Sequence, residues 1–177
     1  MIEKVVFQLS SKGLAVGTIK HIRDGDFSID VKGKDTWRHA QAGAKIVVGA
    51  AAKQVVILKK QTSPYQNVEE ILNLIGNEKL DVIIIEGFRS LIAKRRDVFK
   101  VVLAKSKEDV EDSFHELTEP IVAIVGPGIL RNAVLNEKSA SFFDIDTEKE
   151  EAVQLIMRIV VNAQKHGIVK RKRANFA

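Results

Sequence analysis

The spacing of apolar residues predicts helices that alternate with strands along the chain. The first predicted helix has one apolar face, formed by Ile2, Val5, Val6 and Leu9. Gly13 can end this helix, and the apolar segment LAVGTIK at residues 14–20 predicts a buried strand. The chain is therefore expected to open with a helix and then a strand.

A second helix and a hairpin are predicted downstream of this strand. The helix is expected over residues 35–42 with Gly43 at its end, and its buried face should hold Trp37, Ala40 and Ala44. Two apolar segments follow, KIVVGAA at 45–51 and QVVILKK at 54–60, and they are close enough in sequence to pair as a hairpin. Asn67 and Glu70 then predict a capped start for the helix VEEILNLI.

The remaining segments predict a parallel sheet. LDVIIIEGF is apolar from Val82 to Ile85 without alternation, which is typical of a strand covered on both faces. Further strands are expected at 100–104 and 120–126, around a short helix that begins at Ser106. Thr147 with Glu150 predicts the start of a long final helix, whose buried stripe is Val153, Ile156, Val160 and Ala163. The predicted class is an α/β three-layer sandwich.

Composition fits one globular domain over residues 1–177. The chain is 45% hydrophobic and 29% charged, with a formal net charge of +5. Part of that excess lies in KRKR at 170–173, within a basic tail over 170–177 that is expected to fray. No aromatic stacking surface accompanies this tail, so a nucleic-acid role is not favoured.

Several functional classes are excluded or disfavoured by residues that the sequence does not contain. There is no cysteine, which excludes disulfides, thiolate metal sites and cysteine nucleophiles. There is also no apolar run near 18 residues and no signal-peptide pattern in MIEKVVFQLSSKG. We therefore expect a cytoplasmic protein that does not use a membrane as a partner.

Charged residues cluster after two of the predicted strands. Lys20 and His21 follow the strand at 14–20, and Glu86 follows the strand at 82–85. Because ligands in open parallel sheets collect at the carboxyl ends of strands, these residues are candidates for a site. A carboxylate there can hold Mg²⁺, which takes one or two protein carboxylates together with water and phosphate oxygens.

Each candidate also has a structural interpretation. Glu86 could cap a neighbouring helix. Asp24, Asp26 and Asp30 lie in a turn-rich segment where Asp is common for backbone reasons, so at least one of them is expected to serve only the turn. Asp30 and Asp35 are the preferred pair of further metal ligands. His21 has no second histidine at ligand spacing, so hydrogen bonding is favoured over a zinc site.

The segment around residue 35 offers further candidates. Trp37 fits the core better than a stacking platform for a base, and His39 can pair with Asp35 one turn earlier. Arg38 is therefore the candidate from this helix. The basic segment AKRRD at 93–97 is either a solvated loop or a surface for an acidic ligand or partner.

Three segments in this order and spacing resemble one family. VGTIKH, DFSIDVKGKDTWRHAQAGA and IIIEGF are similar to the molybdopterin-guanine dinucleotide biosynthesis protein B (MobB) family of the phosphate-loop NTPase superfamily. The resemblance implies GTP and Mg²⁺ as ligands. The candidate phosphate-binding residues are then Lys20, His21, Lys34 and Arg38, and the candidate metal ligands are Asp30, Asp35 and Glu86.

The resemblance is incomplete at one end. Family members open with a strand and the loop G-x-x-x-x-G-K-[ST] before the helix at which this chain begins, and GPGILRN at 126–132 lacks the Lys-Ser/Thr ending. We therefore expect an incomplete nucleotide site and weaker GTP binding. We also expect Ile83 and Ile85 to lose the cover of an interior strand, and the exposed sheet edge to support a homodimer.

Two functions remain open from the sequence. The first is a GTP-binding accessory protein that works beside a MobA-type nucleotidyltransferase in converting molybdopterin to its guanine dinucleotide. Whether such a chain hydrolyses GTP is left open. The second is a non-enzymatic adaptor that binds the cofactor precursor or partner proteins without GTP.

Overall fold

The chain folds into two compact units. The structure is a computed structural model that describes residues 1–25, 27–134 and 140–165. One unit combines Met1–His21 with Asn67–Ala177, and the other is Ile22–Gln66. The predicted basic tail over 170–177 lies outside the described residues, as does Asp26. No helix among the described residues is long and apolar enough to cross a membrane.

Helices and strands occur close to the predicted positions. The helices are α1 (Ile2–Ser11), α2 (Asp35–Gln41), α3 (Val68–Leu72), α4 (Arg89–Ile92), α5 (Lys107–Glu116), α6 (Arg131–Val134) and α7 (Lys149–Lys165). The strands are β1 (Val16–Lys20), β2 (Ile46–Ala50), β3 (Val55–Lys59), β4 (Val82–Glu86), β5 (Lys100–Leu103), β6 (Ile121–Gly126) and β7 (Ser141–Asp144). Single 3₁₀ turns follow α3 and β6.

The strands of the first unit pair in parallel, as predicted for an α/β fold. β1 pairs with β4 in a register that places Val16 opposite Val82 and Lys20 opposite Glu86. A three-stranded sheet has the order β5–β6–β7, and both of its pairings are parallel. In the second unit β2 and β3 form the predicted antiparallel hairpin, while α2 precedes it.

Helix α7 covers the first unit because its apolar residues lie on one stripe. Val153 and Met157 of α7 are buried against Val5 and Leu9 of α1. Residues of β1 and β4 pack against the same cluster, among them Val16, Val82 and Ile84. A second cluster forms around β5, β6 and α5, with Ile124 completely buried. The predicted inward stripe of the final helix is therefore confirmed.

Two helix starts follow the predicted capping chemistry. The Asn67 side chain accepts a hydrogen bond from the Glu70 backbone N–H at 3.0 Å. Ser106 and Asp109 form a reciprocal capping box at the start of α5. Such caps satisfy N–H groups that have no partner within the helix, and each typically contributes about 1 kcal/mol.

The prediction that β4 is covered on both faces is wrong. None of its five residues is buried, and Ile83 is 37% exposed. The physical reason is that β1 is the one strand paired with β4 in the described part of the chain. The exposure of Ile83 agrees instead with the expectation that it lacks the cover of a neighbouring strand.

The predicted role of Glu150 is also wrong. It was expected to complete a capping box with Thr147, but its carboxylate accepts hydrogen bonds from Lys4 at 3.0 Å and Gln8 at 2.9 Å. These long side chains project from α1, which packs against α7, and they reach the carboxylate directly. Glu150 therefore joins two helices.

Candidate site at the carboxyl ends of β1 and β4

A lysine and a glutamate face each other at the carboxyl ends of two parallel strands. Lys20 ends β1, Glu86 ends β4, and the register places them opposite each other. The Lys20 Nζ donates to Glu86 Oε1 at 2.7 Å, although the two side chains remain 64% and 49% exposed. An ion pair this exposed adds little to stability. Both groups are therefore accessible to a ligand at the edge where ligands bind in such sheets.

The turn after Glu86 is built around Gly87. Its φ is +86°, and a Cβ added there would lie 2.6 Å from the Cβ of His21. Only glycine fits both the backbone and the space. The backbone N–H of His21 donates to the Glu86 carbonyl at 2.8 Å, and the His21 ring stacks on Phe88 with centroids 4.5 Å apart. This turn fixes His21 beside the Lys20–Glu86 pair.

A cavity of about 550 Å³ opens beside this pair. Helix α1 forms one wall, and β1 and β4 form the other. Apolar side chains make up most of the lining, and the charged residues are Glu3, Lys20 and Glu86. A pocket of this size, mostly apolar with a few polar groups, is the usual form of a small-molecule site.

The second unit holds the other predicted residues. Asp35 lies in the first turn of α2 after Lys34, and its carboxylate is 4.0 Å from the Arg38 guanidinium. Both side chains are highly exposed, at 89% and 71%. The structure thus pairs Asp35 with Arg38, whereas the alternative drawn from the sequence was a pair with His39. The side chains expected to face inward, Trp37, Ala40 and Ala44, are half-buried.

Asp30 has a different environment from Asp35. Its Oδ1 accepts hydrogen bonds from the Val31 backbone N–H at 2.9 Å and from the Thr36 hydroxyl at 3.0 Å. Within the described ranges, no group of three or more His, Asp or Glu side chains could hold a metal ion. A set of Asp30, Asp35 and Glu86 as magnesium ligands therefore stays a prediction.

Arg95 is the basic residue of the segment 93–97 for which the structure shows ion pairs, while Lys94 and Arg96 are exposed. Arg95 bridges Glu69 and Asp97, and these two carboxylates raise the pKa of Arg95 above its ordinary value. Lys100 is 4% exposed, and its ammonium donates to the backbone carbonyls of Arg95 and Val98. Burial lowers the pKa of Lys100. Sequence reasoning missed this lysine because it opens an apolar strand.

A family model described as molybdopterin guanine dinucleotide synthesis protein B, MobB, matches residues 1–126. The chain belongs to the MobB family. The matched range includes the Lys20–Glu86 pair and the whole second unit, whereas α6, β7 and α7 lie beyond it.

Curated relatives match part of this chain, and the matches span less than two thirds of the relatives' own length. A Haemophilus influenzae protein named molybdopterin-guanine dinucleotide biosynthesis adapter protein is 23% identical over 124 residues, 70% of this chain and 65% of that protein. A Methanocaldococcus jannaschii protein, given the same name provisionally, is 36% identical over 108 residues, 61% of this chain. The match spans 42% of that relative's length.

Solved MobB structures share the fold. Bacillus subtilis MobB is 25% identical, with a TM-score of 0.63, and the match covers 89% of this chain and 86% of that chain. A MobB homologue from Bacillus stearothermophilus gives a TM-score of 0.60 at 20% identity, over 91% of this chain and 88% of that one. The predicted α/β fold of the phosphate-loop NTPase type is confirmed.

Proposed function

We propose that this chain is an adapter in molybdopterin-guanine dinucleotide biosynthesis, and that it binds GTP with Mg²⁺ at the Lys20–Glu86 pair. Family membership and the names of the curated relatives support the pathway. The observation that carries the site is the position of the pair, at the carboxyl ends of two parallel strands and beside an open cavity. We further propose a MobA-type nucleotidyltransferase and molybdopterin or its guanine dinucleotide as partners, and a homodimer as the assembly.

The chemistry of the pair suits a magnesium nucleotide. Glu86 Oε1 accepts from Lys20, and no donor to Oε2 is recorded within the described ranges, which leaves that oxygen for a metal or its bound water. Lys20 would bind phosphate oxygens as a point charge. Mg²⁺ would balance phosphate charge, and it tolerates a site with a single protein carboxylate because it keeps several waters. The residues present therefore fit the proposed ligands.

The proposed role of His21 is to donate a hydrogen bond to phosphate. Its ring stacks on Phe88 and its main chain is tied to Glu86, so its position beside Lys20 is fixed by the fold. In the second unit Lys34 and Arg38 are proposed phosphate-binding residues, and Asp35 is a proposed metal ligand. Each can be tested by a single substitution.

An adapter that works without GTP is the second candidate. The word adapter in the relatives' names favours it, because an adapter acts by holding partners together. The two candidates differ in one measurable respect, which is whether the chain binds GTP.

Calorimetric titration with GTP and Mg²⁺ tests the proposal. Lys20→Ala should weaken binding by about tenfold, the order expected for one charge-assisted contact. Lys79→Ala is the matched control, since Lys79 is exposed and lies away from the pair. Equal affinities for the wild type and Lys20→Ala would remove Lys20 from the nucleotide site. Absence of GTP binding by the wild type would leave the adapter without GTP.

A further inference from the structure

A second cavity lies wholly within the unit Ile22–Gln66. Its volume is about 200 Å³, and its wall combines the hairpin with the turn that precedes α2. Most of the lining is apolar, from Ile29, Val31, Val56 and Leu58. The polar residues of the wall include Asp30 and Gln54. Since sites for drug-sized ligands occupy about 300–1,000 Å³, this cavity suits one small ring system and not a whole nucleotide.

The carboxylate of Asp30 is satisfied on one side only. Its Oδ1 accepts two hydrogen bonds, from Val31 and Thr36. Its Oδ2 is buried and accepts none from the described residues. A buried acceptor without a donor destabilises the folded chain, and the cost is greater when the acceptor is charged. A ligand that brings N–H donors into this cavity, with a small adjustment of its wall, would remove that cost.

The lining restricts the chemistry of the ligand. Its apolar side chains favour a flat body, and the unpaired carboxylate oxygen requires N–H donors on one edge. An aminopyrimidinone ring has both, because its ring N–H and its exocyclic amino group lie side by side. Guanine and pterins share this ring. We propose that the Asp30 cavity binds an aminopyrimidinone ring, a role that replaces the predicted metal role of Asp30. The choice of this ring among flat N–H donors rests on the proposed function.

The test compares pairs of rings that differ in one group. Pterin carries the amino donor, whereas lumazine has a carbonyl oxygen in its place; guanosine and xanthosine differ in the same way. Pterin fluorescence and calorimetry on the full chain should show binding of pterin or guanosine and at least about tenfold weaker binding of the paired oxo compound. Which amino compound binds identifies the source of the ring, pterin or nucleoside. Binding of neither would overturn the inference.

Asp30→Asn provides the sharpest variant. The amide oxygen can keep both bonds of Oδ1, from Val31 and Thr36, while the nitrogen replaces Oδ2 and turns an acceptor into a donor. The variant should therefore bind lumazine more tightly than pterin, or xanthosine more tightly than guanosine, which reverses the preference of the wild type. Asp112→Asn on the exposed face of α5 makes the same chemical change away from the cavity and should alter nothing. An unchanged preference in Asp30→Asn would overturn the inference.

A second variant covers the case in which Asp30→Asn does not fold. A Cβ at Gly49 would meet Thr36 Cγ2 at 3.6 Å, an ordinary contact, so Gly49→Ala should fold and narrow the cavity. It should weaken ring binding, and an unchanged affinity would contradict the proposal. Parallel titration of Glu86→Gln with GTP and Mg²⁺ separates the two claims. Failed ring binding with intact Glu86-dependent GTP binding overturns this inference alone.

Discussion

Strands β4 and β6 have similar sequences but different surroundings. Residues 82–85 of β4, VIII, and the whole of β6, IVAIVG, are continuous apolar runs in parallel sheets. Five of the six residues of β6 are buried, whereas β4 has none. β6 has a strand on each side, while β4 is paired with β1 alone in the described part of the chain. An apolar run therefore predicts a parallel strand but does not reveal how many neighbours cover it.

The difference in burial between β6 and β4 assigns stability and ligand binding to different parts of the first unit. The sheet around β6 holds a completely buried core that includes Ile124, which is the environment that resists unfolding. The β1–β4 pair has an open cavity beside it and an exposed ion pair at its end. The candidate site thus lies in the less covered part of the first unit, where a ligand can enter.

Truncating one isoleucine in each strand should give the largest contrast. Ile124 is 0% exposed, so Ile124→Ala should reduce the free energy of unfolding by about 2–5 kcal/mol. Ile83→Ala should cost less than half as much, because Ile83 is already 37% exposed. Urea denaturation of both variants measures this, and equal losses would mean that β4 is covered as fully as β6.

Sequence reasoning located the elements better than their surroundings. The α1 stripe, the hairpin, the Asn67 cap and the ends of β1 and β4 follow from spacing and local chemistry. The short strand β7 was missed because SFFD is too brief to show a period. The exposure of Ile83 and the partners of Glu150 depend on neighbours distant in sequence, which spacing does not encode.

The candidate site shows the same division. Lys20 and Glu86 were placed together because parallel strands end at one edge, and the register confirms that they are opposite. The unpaired oxygen of Asp30 could not be predicted, since it depends on how the wall of a cavity closes. The stack of His21 on Phe88 likewise requires the backbone of the Gly87 turn.

A glycine pair sharpens the comparison around β4. Gly87 and Gly13 both have positive φ, at +86° and +82°. A Cβ added at Gly87 would clash with His21, whereas a Cβ added at Gly13 would meet no atom within 4 Å. Backbone strain should lower the free energy of unfolding of both alanine variants by about 1 kcal/mol. Gly87→Ala should lower it further, because the added Cβ displaces His21. Thermal unfolding and the NMR signals of the His21 ring report this; matching losses would mean that the turn relaxes freely.

The smallest expected effect concerns two glutamates on or beside α7. Glu150 bonds to α1, and hydrogen bonds from Lys4 and Gln8 lower its pKa. Glu148 accepts hydrogen bonds from the Asp144 N–H of β7 and from Arg131 of α6, and these bonds lower its pKa. A carboxylate with a depressed folded-state pKa stabilises above its ordinary pKa, and this contribution is lost as the pH falls through the folded-state value.

Glu150→Gln and Glu148→Gln should therefore lower the free energy of unfolding at pH 7 but not at strongly acidic pH. Urea denaturation between pH 7 and pH 3 measures the difference from the wild type. A deficit that persists unchanged at low pH would indicate lost packing and not lost charge.

Magnesium dependence at Glu86 tests the central claim most directly. Titration of GTP into the wild type and into Glu86→Gln, with and without Mg²⁺, compares chains that differ in one charge while the shape of the side chain is kept. We predict that Mg²⁺ strengthens GTP binding to the wild type by about tenfold or more and has little effect on Glu86→Gln. Equal enhancement by Mg²⁺ in both chains would contradict a nucleotide site at the carboxyl ends of β1 and β4.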